Sequence, residues 1–198
     1  MRSAAPDPVA DGRDGHRHGG IARLATLPSR LGANTPYHPH WAKSKVARLR
    51  PNSMSGNPTI LVAEDDANDR TLLALAFKKA GAFATVHFVD DAKEAMQFLQ
   101  GKGPYVDRAH LPPPNLFVVD STLPDMSGFE LLAWVRRQPF LQWMVAGVLS
   151  GSKYKPDMQE ARALGATFYL TKPPNFPELV VIARQLIEKC AAGVPLVG

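Results

Sequence analysis

The sequence predicts an open parallel α/β sheet, and three features carry that prediction. Short apolar runs alternate with helical patterns five times between residues 59 and 190. The runs are solid rather than alternating, as strands covered on both faces require. Acidic, hydroxyl and lysine residues follow several of the runs, where an open parallel sheet places its ligand crevice.

The first run, Ile60 to Ala63 after Thr59, passes directly into Glu64, Asp65 and Asp66. Residues 68–80 then place Leu72, Leu73, Leu75, Ala76, Phe77 and Ala80 at helical spacing, and Gly81 supplies the stop. Thr85 to Val89 reads as a second strand, with Asp90 or Asp91 available to cap a helix through Leu99. Gly101 to Pro114 is a loop with four prolines, longer than most such connections.

Leu116 to Val119 is the third strand, set between Pro112–Pro114 and Pro124, and it ends on Asp120. The Pro124 turn separates Asp120 from the next helix start near Ser127, which argues against a mere capping role. That helix covers 128–137 and is closed by Pro139. The fourth strand is Met144 to Leu149, leading to Ser150 and Gly151, and a short helix over 157–163 is closed by Gly165. Thr167 to Leu170 is the fifth strand, followed by Thr171, Lys172, Pro173 and Pro174. The last helix, 177–190, directs Leu179, Val180, Ile182, Ala183, Leu186 and Ile187 inward. Five βα units predict right-handed crossovers, helices on both faces and a flavodoxin-like strand order 2-1-3-4-5.

Charge divides the chain. Residues 1–55 hold nine Lys and Arg against three Asp and Glu, a net +6, whereas 56–198 hold fourteen against fifteen, a net −1. The pI of 9.5 therefore describes a tail rather than a basic nucleic-acid-binding domain. Residues 1–55 lack a sustained apolar period and read as a disordered basic tail, 56–192 as the folded domain and 193–198 as a short tail. Met54 offers an alternative start of translation. His16, His18, His38 and His40 have no scaffold around them and read as composition rather than a metal tract. The single Cys190 excludes an intrachain disulfide and fits a reducing compartment. No apolar stretch has the length of a membrane span or a secretory signal, so a cytoplasmic location is expected.

The residues at the strand ends form one constellation. Glu64 and Asp65 follow strand 1, Asp120 strand 3, Ser150 strand 4 and Lys172 strand 5. Carboxylates crowded there repel one another and call for a cation, and oxygen-only ligands suit a hard ion, Mg²⁺ before Zn²⁺. A hydroxyl and an ammonium converging on the same point suit a phosphoryl group.

These residues also carry a family resemblance. Ile60-Leu-Val-Ala-Glu64-Asp65-Asp66, Val119-Asp120-Ser-Thr-Leu-Pro124-Asp-Met-Ser-Gly128, Leu149-Ser150-Gly151, Ala161-Arg-Ala-Leu-Gly165-Ala166 and Tyr169-Leu-Thr-Lys172-Pro173 resemble the motifs of response-regulator receiver domains, in order, from about Thr59 to Lys189. The loop Gly101-Lys-Gly-Pro-Tyr-Val-Asp-Arg and the segment Arg137-Gln-Pro-Phe-Leu resemble stand-alone, phytochrome-associated receivers.

The resemblance implies that Asp120 accepts the phosphoryl group. It implies Mg²⁺ ligation by Asp65 and Asp120, with Glu64 direct or through water and the Thr122 backbone carbonyl. Lys172 would pair with the phosphoryl oxygens, Ser150 would bond one of them, Tyr169 would change exposure, and the bond to Pro173 would be cis. Thr122 and Ser152 lie where this family's side chains reach the attacking water. Pro174 departs from the pattern. The implied partners are a sensor histidine kinase or histidine phosphotransfer protein and a downstream protein target, with no DNA-binding domain, no membrane and room for a homodimer. The alternatives are a haloacid-dehalogenase-like Mg²⁺-dependent phosphatase and an unphosphorylated pseudo-receiver. The first wants a carboxylate two residues after the nucleophile, where Thr122 stands. The intact set of Glu64, Asp65, Asp120, Ser150 and Lys172 speaks against the second.

The composition of residues 1–53 cannot bury enough apolar surface to offset the entropy of ordering. Protein beginning at Met54 is expected to melt within a few degrees of the full chain. A large fall in the calorimetric midpoint would show that the tail packs on the domain.

Overall fold

The computed structural model describes residues 57–81 and 83–192, so the expected tails at 1–55 and 193–198 lie outside the described residues. Five strands, β1 (Thr59–Ala63), β2 (Thr85–Val89), β3 (Leu116–Val119), β4 (Val145–Ser150) and β5 (Phe168–Thr171), alternate with five helices. These are α1 (Ala67–Lys79), α2 (Ala92–Gln100), α3 (Gly128–Arg137), α4 (Lys155–Ala163) and α5 (Phe176–Ala192). All pairings are parallel and the order is β2-β1-β3-β4-β5, the flavodoxin-like arrangement.

The three central strands are buried at every residue, which explains their unbroken apolar character. Their side chains divide between two cores. On one face Leu61, Ala63, Phe117, Val119, Ala146 and Val148 meet α2, α3 and α4 through Ala95, Phe98, Leu131, Leu132, Val135 and Ala161. On the other, Ile60, Val62, Leu116, Val118 and Leu149 meet Leu73, Ala76 and Phe77 of α1 and Leu179, Val180, Ala183, Leu186 and Ile187 of α5.

Helix starts follow from local chemistry. Asp66 caps α1 by accepting from the backbone N–H groups of Asn68 and Asp69 at 2.8 and 2.9 Å. Asp91, rather than Asp90, caps α2. Ser127 and Glu130 close a reciprocal capping box at α3, so Asp120 has no part in that cap.

Several boundaries differ from expectation by one or two residues. Met144 closes the preceding 3₁₀ turn through a bond from its N–H to Leu141 O, so β4 begins at Val145. Thr171 pairs with Ser150, which extends both strands toward the site. Helix α4 begins two residues earlier than the expected 157 because Pro156 sits in its first turn, where a missing N–H costs nothing. Pro174 lies outside α5, whose first residue is Phe176.

The loop 101–114 is tied to α2. Tyr105 donates to Glu94 at 2.5 Å, and the Arg108 guanidinium bonds Phe98 O and Leu111 O. At the opposite edge from the site, Arg136 bonds Met144 O, Ala146 O, Gly165 O and the Thr167 hydroxyl, bracing the starts of β4 and β5. Among the described residues no helix is long and apolar enough to cross a membrane.

Gly147 pairs with Phe168 in the sheet, and a Cβ there would meet Phe168 O at 2.4 Å and Phe168 Cγ at 2.6 Å. Backbone cannot yield as a side-chain tip can. Gly147→Ala is expected to cost about 3 kcal/mol, read from the urea midpoint. An unchanged midpoint would show that β5 shifts freely against β4.

Candidate functional site

Parallel register brings the carboxyl ends of β1, β3, β4 and β5 to one edge. Asp120 leaves β3 with its N–H bonded to Ala63 O at 2.9 Å, and Glu64 leaves β1 with its N–H bonded to Val89 O at 3.0 Å. Lys172 leaves β5 with its N–H on Ser150 O at 2.7 Å. The turn after Asp120 is held close by Gly128, whose N–H bonds Ser121 O at 2.9 Å. A Cβ on Gly128 would fall 1.8 Å from Asp120 O, so only glycine permits this turn.

At the centre stands the Lys172 ammonium. It bonds Glu64 Oε2 at 2.6 Å, Asp69 Oδ2 at 2.7 Å, and Asp120 Oδ2. These three carboxylates can bring one oxygen each within 4.8 Å of one another. Burial alone would lower the Lys172 pKa, but hydrogen bonds to Asp120, Asp69 and Glu64 hold it above its ordinary value. Glu64 is only 2% exposed, and that desolvation pushes its carboxyl up to about 7 despite the Lys172 contact that opposes it.

Asp120 is otherwise fully engaged on one oxygen. Its Oδ1 accepts from the Thr122 N–H at 3.0 Å and from the Ser121 hydroxyl at 3.1 Å. Ser121 Oγ lies 2.7 Å from Ser150 Oγ, and Ser150 is buried. Ser150 in turn accepts from the Ser152 N–H at 3.0 Å, and Tyr169 donates its hydroxyl proton to Ser152 O at 3.0 Å.

Glu64, Asp120, Ser150 and Lys172 thus meet in one open pocket, which Asp65, Thr122 and Ser152 also line. Tyr169 stands behind Ser152 and is partly buried. Asp65 is exposed at the rim, and the third carboxylate on Lys172 is that of Asp69. Asp66 faces the α1 backbone as a cap, and its carboxyl is held below the ordinary range by the Asp69 and Asn68 N–H groups.

Three participants are absent from the sequence reading. Asp69 lies one helical turn beyond Asp65 and Asp66, so its approach depends on the α1 cap. Ser121 lies beside Asp120 in the chain, where strand alternation alone would send it to the opposite face. Arg70 donates through Nη1 to Glu64 O and Asp65 O, both at 2.8 Å, and pairs with Asp90 at 3.0 Å, fixing the acidic turn. The helical offset of Asp69 from the acidic pair was the available signal.

A strand-edge carboxylate with a lysine, a buried serine hydroxyl and further acids defines a class of phosphoacceptor fold. Residues 60–184 match the response regulator receiver domain family. The chain belongs to that family and is a two-component response regulator. Response regulator Rcp1 of Synechocystis is 33% identical over 129 residues, covering 64% of this chain and 86% of that protein. The phosphorylated cyanobacterial phytochrome response regulator RcpA is similar in structure at a TM-score of 0.64 and 28% identity, over 72% of this chain and 100% of that one. The response regulator RPA3017 in red light signalling of R. palustris gives 0.64 and 28%, over 70% and 99%. The Mn²⁺-bound form of Rcp1 gives 0.61 and 29%, over 71% and 99%. Receivers are typically non-enzymatic phosphoacceptors that bind Mg²⁺ or Mn²⁺ at an acidic pocket and interact with histidine kinases.

The raised Glu64 pKa sets a pH dependence. The folded protein binds this proton more tightly than the unfolded chain, so Glu64 favours folding below pH 4.5, and this contribution is lost as pH rises through about 7. Glu64→Gln is expected to flatten the curve of urea midpoint against pH between those values. An unaltered slope would assign the dependence to another group.

Proposed function

We propose that Asp120 is the phosphoacceptor of a response regulator that signals by protein contact. The observation that carries this reading is Asp120 Oδ2 against Lys172 Nζ, in a pocket shared with Glu64, Asp69 and Ser150. Oδ1 is held by two donors, which leaves Oδ2 to attack. In the transfer, Oδ2 bonds phosphorus as the donor's N–P bond breaks, and the leaving imidazole nitrogen keeps the electron pair and takes up a proton. Lys172 neutralises charge on the phosphoryl oxygens, and Ser150 donates to one of them after transfer. Hydrolysis returns the carboxylate and inorganic phosphate, with Thr122 and Ser152 lining the approach of water. Small phosphodonors are expected to modify the protein without a kinase.

The donor set fits Mg²⁺. It is all oxygen, and in the unmodified protein one cationic group already joins two of its acids, Glu64 and Asp120, together with Asp69. Asp65, Asp120, Glu64 and the Thr122 carbonyl would hold the ion, which supplies charge compensation for the phosphoryl oxygens. Tyr169, hydrogen-bonded behind Ser152, would follow the movement of Ser150. The donor would be a sensor histidine kinase or a histidine phosphotransfer protein, in the cytoplasm, and the output a protein target or a second copy of this chain. RcpA is named as a phytochrome response regulator and RPA3017 as one in red light signalling, which favours a light-responsive kinase as the source. The phosphatase reading is disfavoured because Thr122 supplies a backbone N–H, not a second carboxylate, beside Asp120.

Incubation with a small phosphodonor and Mg²⁺ is expected to add one phosphoryl group by mass, and Asp120→Ala to add none. Lys172→Ala should retain some uptake but blunt the change in amide hydrogen exchange across 148–190. Ser150→Ala should still be modified, with a weaker response near Tyr169. An adduct on Asp120→Ala would overturn the assignment of the acceptor.

A further inference from the structure

A hydrogen-bond chain holds Ser150 in this structure. Ser121 Oγ lies 3.1 Å from Asp120 Oδ1 and 2.7 Å from Ser150 Oγ, while the Ser152 N–H lies 3.0 Å from Ser150 Oγ. A serine hydroxyl has one proton to give, and an ionised carboxylate can only accept. The Ser121 proton is therefore committed to Asp120. The Ser150 proton goes to Ser121, since Ser121 has no second proton to give. The order of donors runs in one direction, from Ser152 through Ser150 and Ser121 to the Asp120 carboxylate.

Ser150 cannot give its proton twice. Resting on the reading that Asp120 is phosphorylated, we infer that Ser121 is the resting-state partner of Ser150 and competes with the phosphoryl group for its hydroxyl proton. Phosphorylation then exchanges one acceptor for another at Ser150. It also weakens the bond from Ser121, because Oδ1 becomes a neutral carbonyl oxygen when Oδ2 becomes the bridging oxygen of an acyl phosphate. Both effects release the chain from the Asp120 end.

The far end is built to register that release. Ser152 ties Ser150 to the start of α4, because its hydroxyl bonds Asp157 Oδ2 at 2.5 Å and accepts from the Tyr154 N–H at 3.1 Å. Its carbonyl holds the Tyr169 hydroxyl. Ser121 is thus a positioning residue. It sets how much of the phosphoryl interaction energy is used in breaking a prior bond.

Beryllium fluoride, which seats on carboxylates as a phosphoryl mimic, tests this with Mg²⁺ present and calorimetry as the readout. Ser121→Ala is expected to bind the mimic about fivefold more tightly, roughly the worth of one neutral hydrogen bond at 1.4 kcal/mol per tenfold. In a Ser150→Ala background the same change should tighten binding less, the shortfall being the Ser121–Ser150 term. Ser121→Thr, which keeps the hydroxyl, should restore wild-type affinity and shows that the fold tolerates substitution there. Equal tightening in both backgrounds would place the effect on Asp120 alone and overturn the competition. Unchanged or weaker binding by Ser121→Ala would overturn it as well. If the wild-type protein failed to bind the mimic, the phosphoacceptor reading itself would fall, and this inference with it.

Discussion

One ammonium group holds three carboxylates at the carboxyl edge of the sheet. Glu64, Asp69 and Asp120 come from the end of β1, the first turn of α1 and the end of β3, and Lys172 reaches all of them from the end of β5. Like charges this close raise one another's proton affinity unless a cation intervenes. Three carboxylates face a single ammonium, so the acids are short of positive charge, and burial of Glu64, which pushes its carboxyl up, makes that shortage more costly. The pocket therefore favours added cations and resists added anions. That setting agrees with the proposed reading, in which a cation accompanies the phosphoryl group.

The rest of the fold serves to keep those groups from relaxing apart. β1 and β3 are paired up to Ala63 and Val119, the residues before Glu64 and Asp120, so the two acids leave the sheet side by side. β4 and β5 remain paired to Ser150 and Thr171, which delivers Lys172 beside the buried serine. Behind them, each central strand is covered on both faces, and side chains packed at interior density transmit strain rather than absorb it. Arg70 and Gly128 close the same frame from the loops, one by bonding two carbonyls of the acidic turn and the other by its lack of a side chain.

Much of this was legible in the sequence because it depends on periods and stops. Unbroken apolar runs mark buried parallel strands, and a parallel sheet places whatever follows each strand on one edge, so Glu64, Asp120, Ser150 and Lys172 could be gathered without coordinates. What escaped depends on side-chain direction after the period ends. Asp65 and Asp69 are both acidic and close in sequence, and the cap formed by Asp66 decides which meets Lys172. Ser121 turns toward Ser150 because the Gly128 contact folds the loop back, a tertiary fact invisible to local pattern. The boundary errors at β4 and α4 arose similarly, from a 3₁₀ turn that claims Met144 and from a proline that opens a helix.

The hydrogen-bond inventory explains how such a site can act as a switch without a large cavity or a hinge. Lys172 has three protons to donate and makes contacts with three acids. Ser150 has one and Ser121 accepts it, while Thr122 N–H is spent on Asp120. No donor among these is idle, so under the proposed reading a phosphoryl group can be bound only by taking donors from existing acceptors. Asp69, the most exposed of the three acids on Lys172, is the acceptor easiest to return to water, since its side chain is 39% exposed against 2% for Glu64 and 11% for Asp120. Modification would thus reassign a fixed set of protons, and each bond surrendered would free an element. Loss of the Asp69 contact would loosen the end of β5 from α1, and loss of the Ser121 contact would loosen Ser150, Ser152 and the start of α4. A change confined to one carboxylate would thereby reach two faces of the domain, because the donors it takes fasten separate elements together.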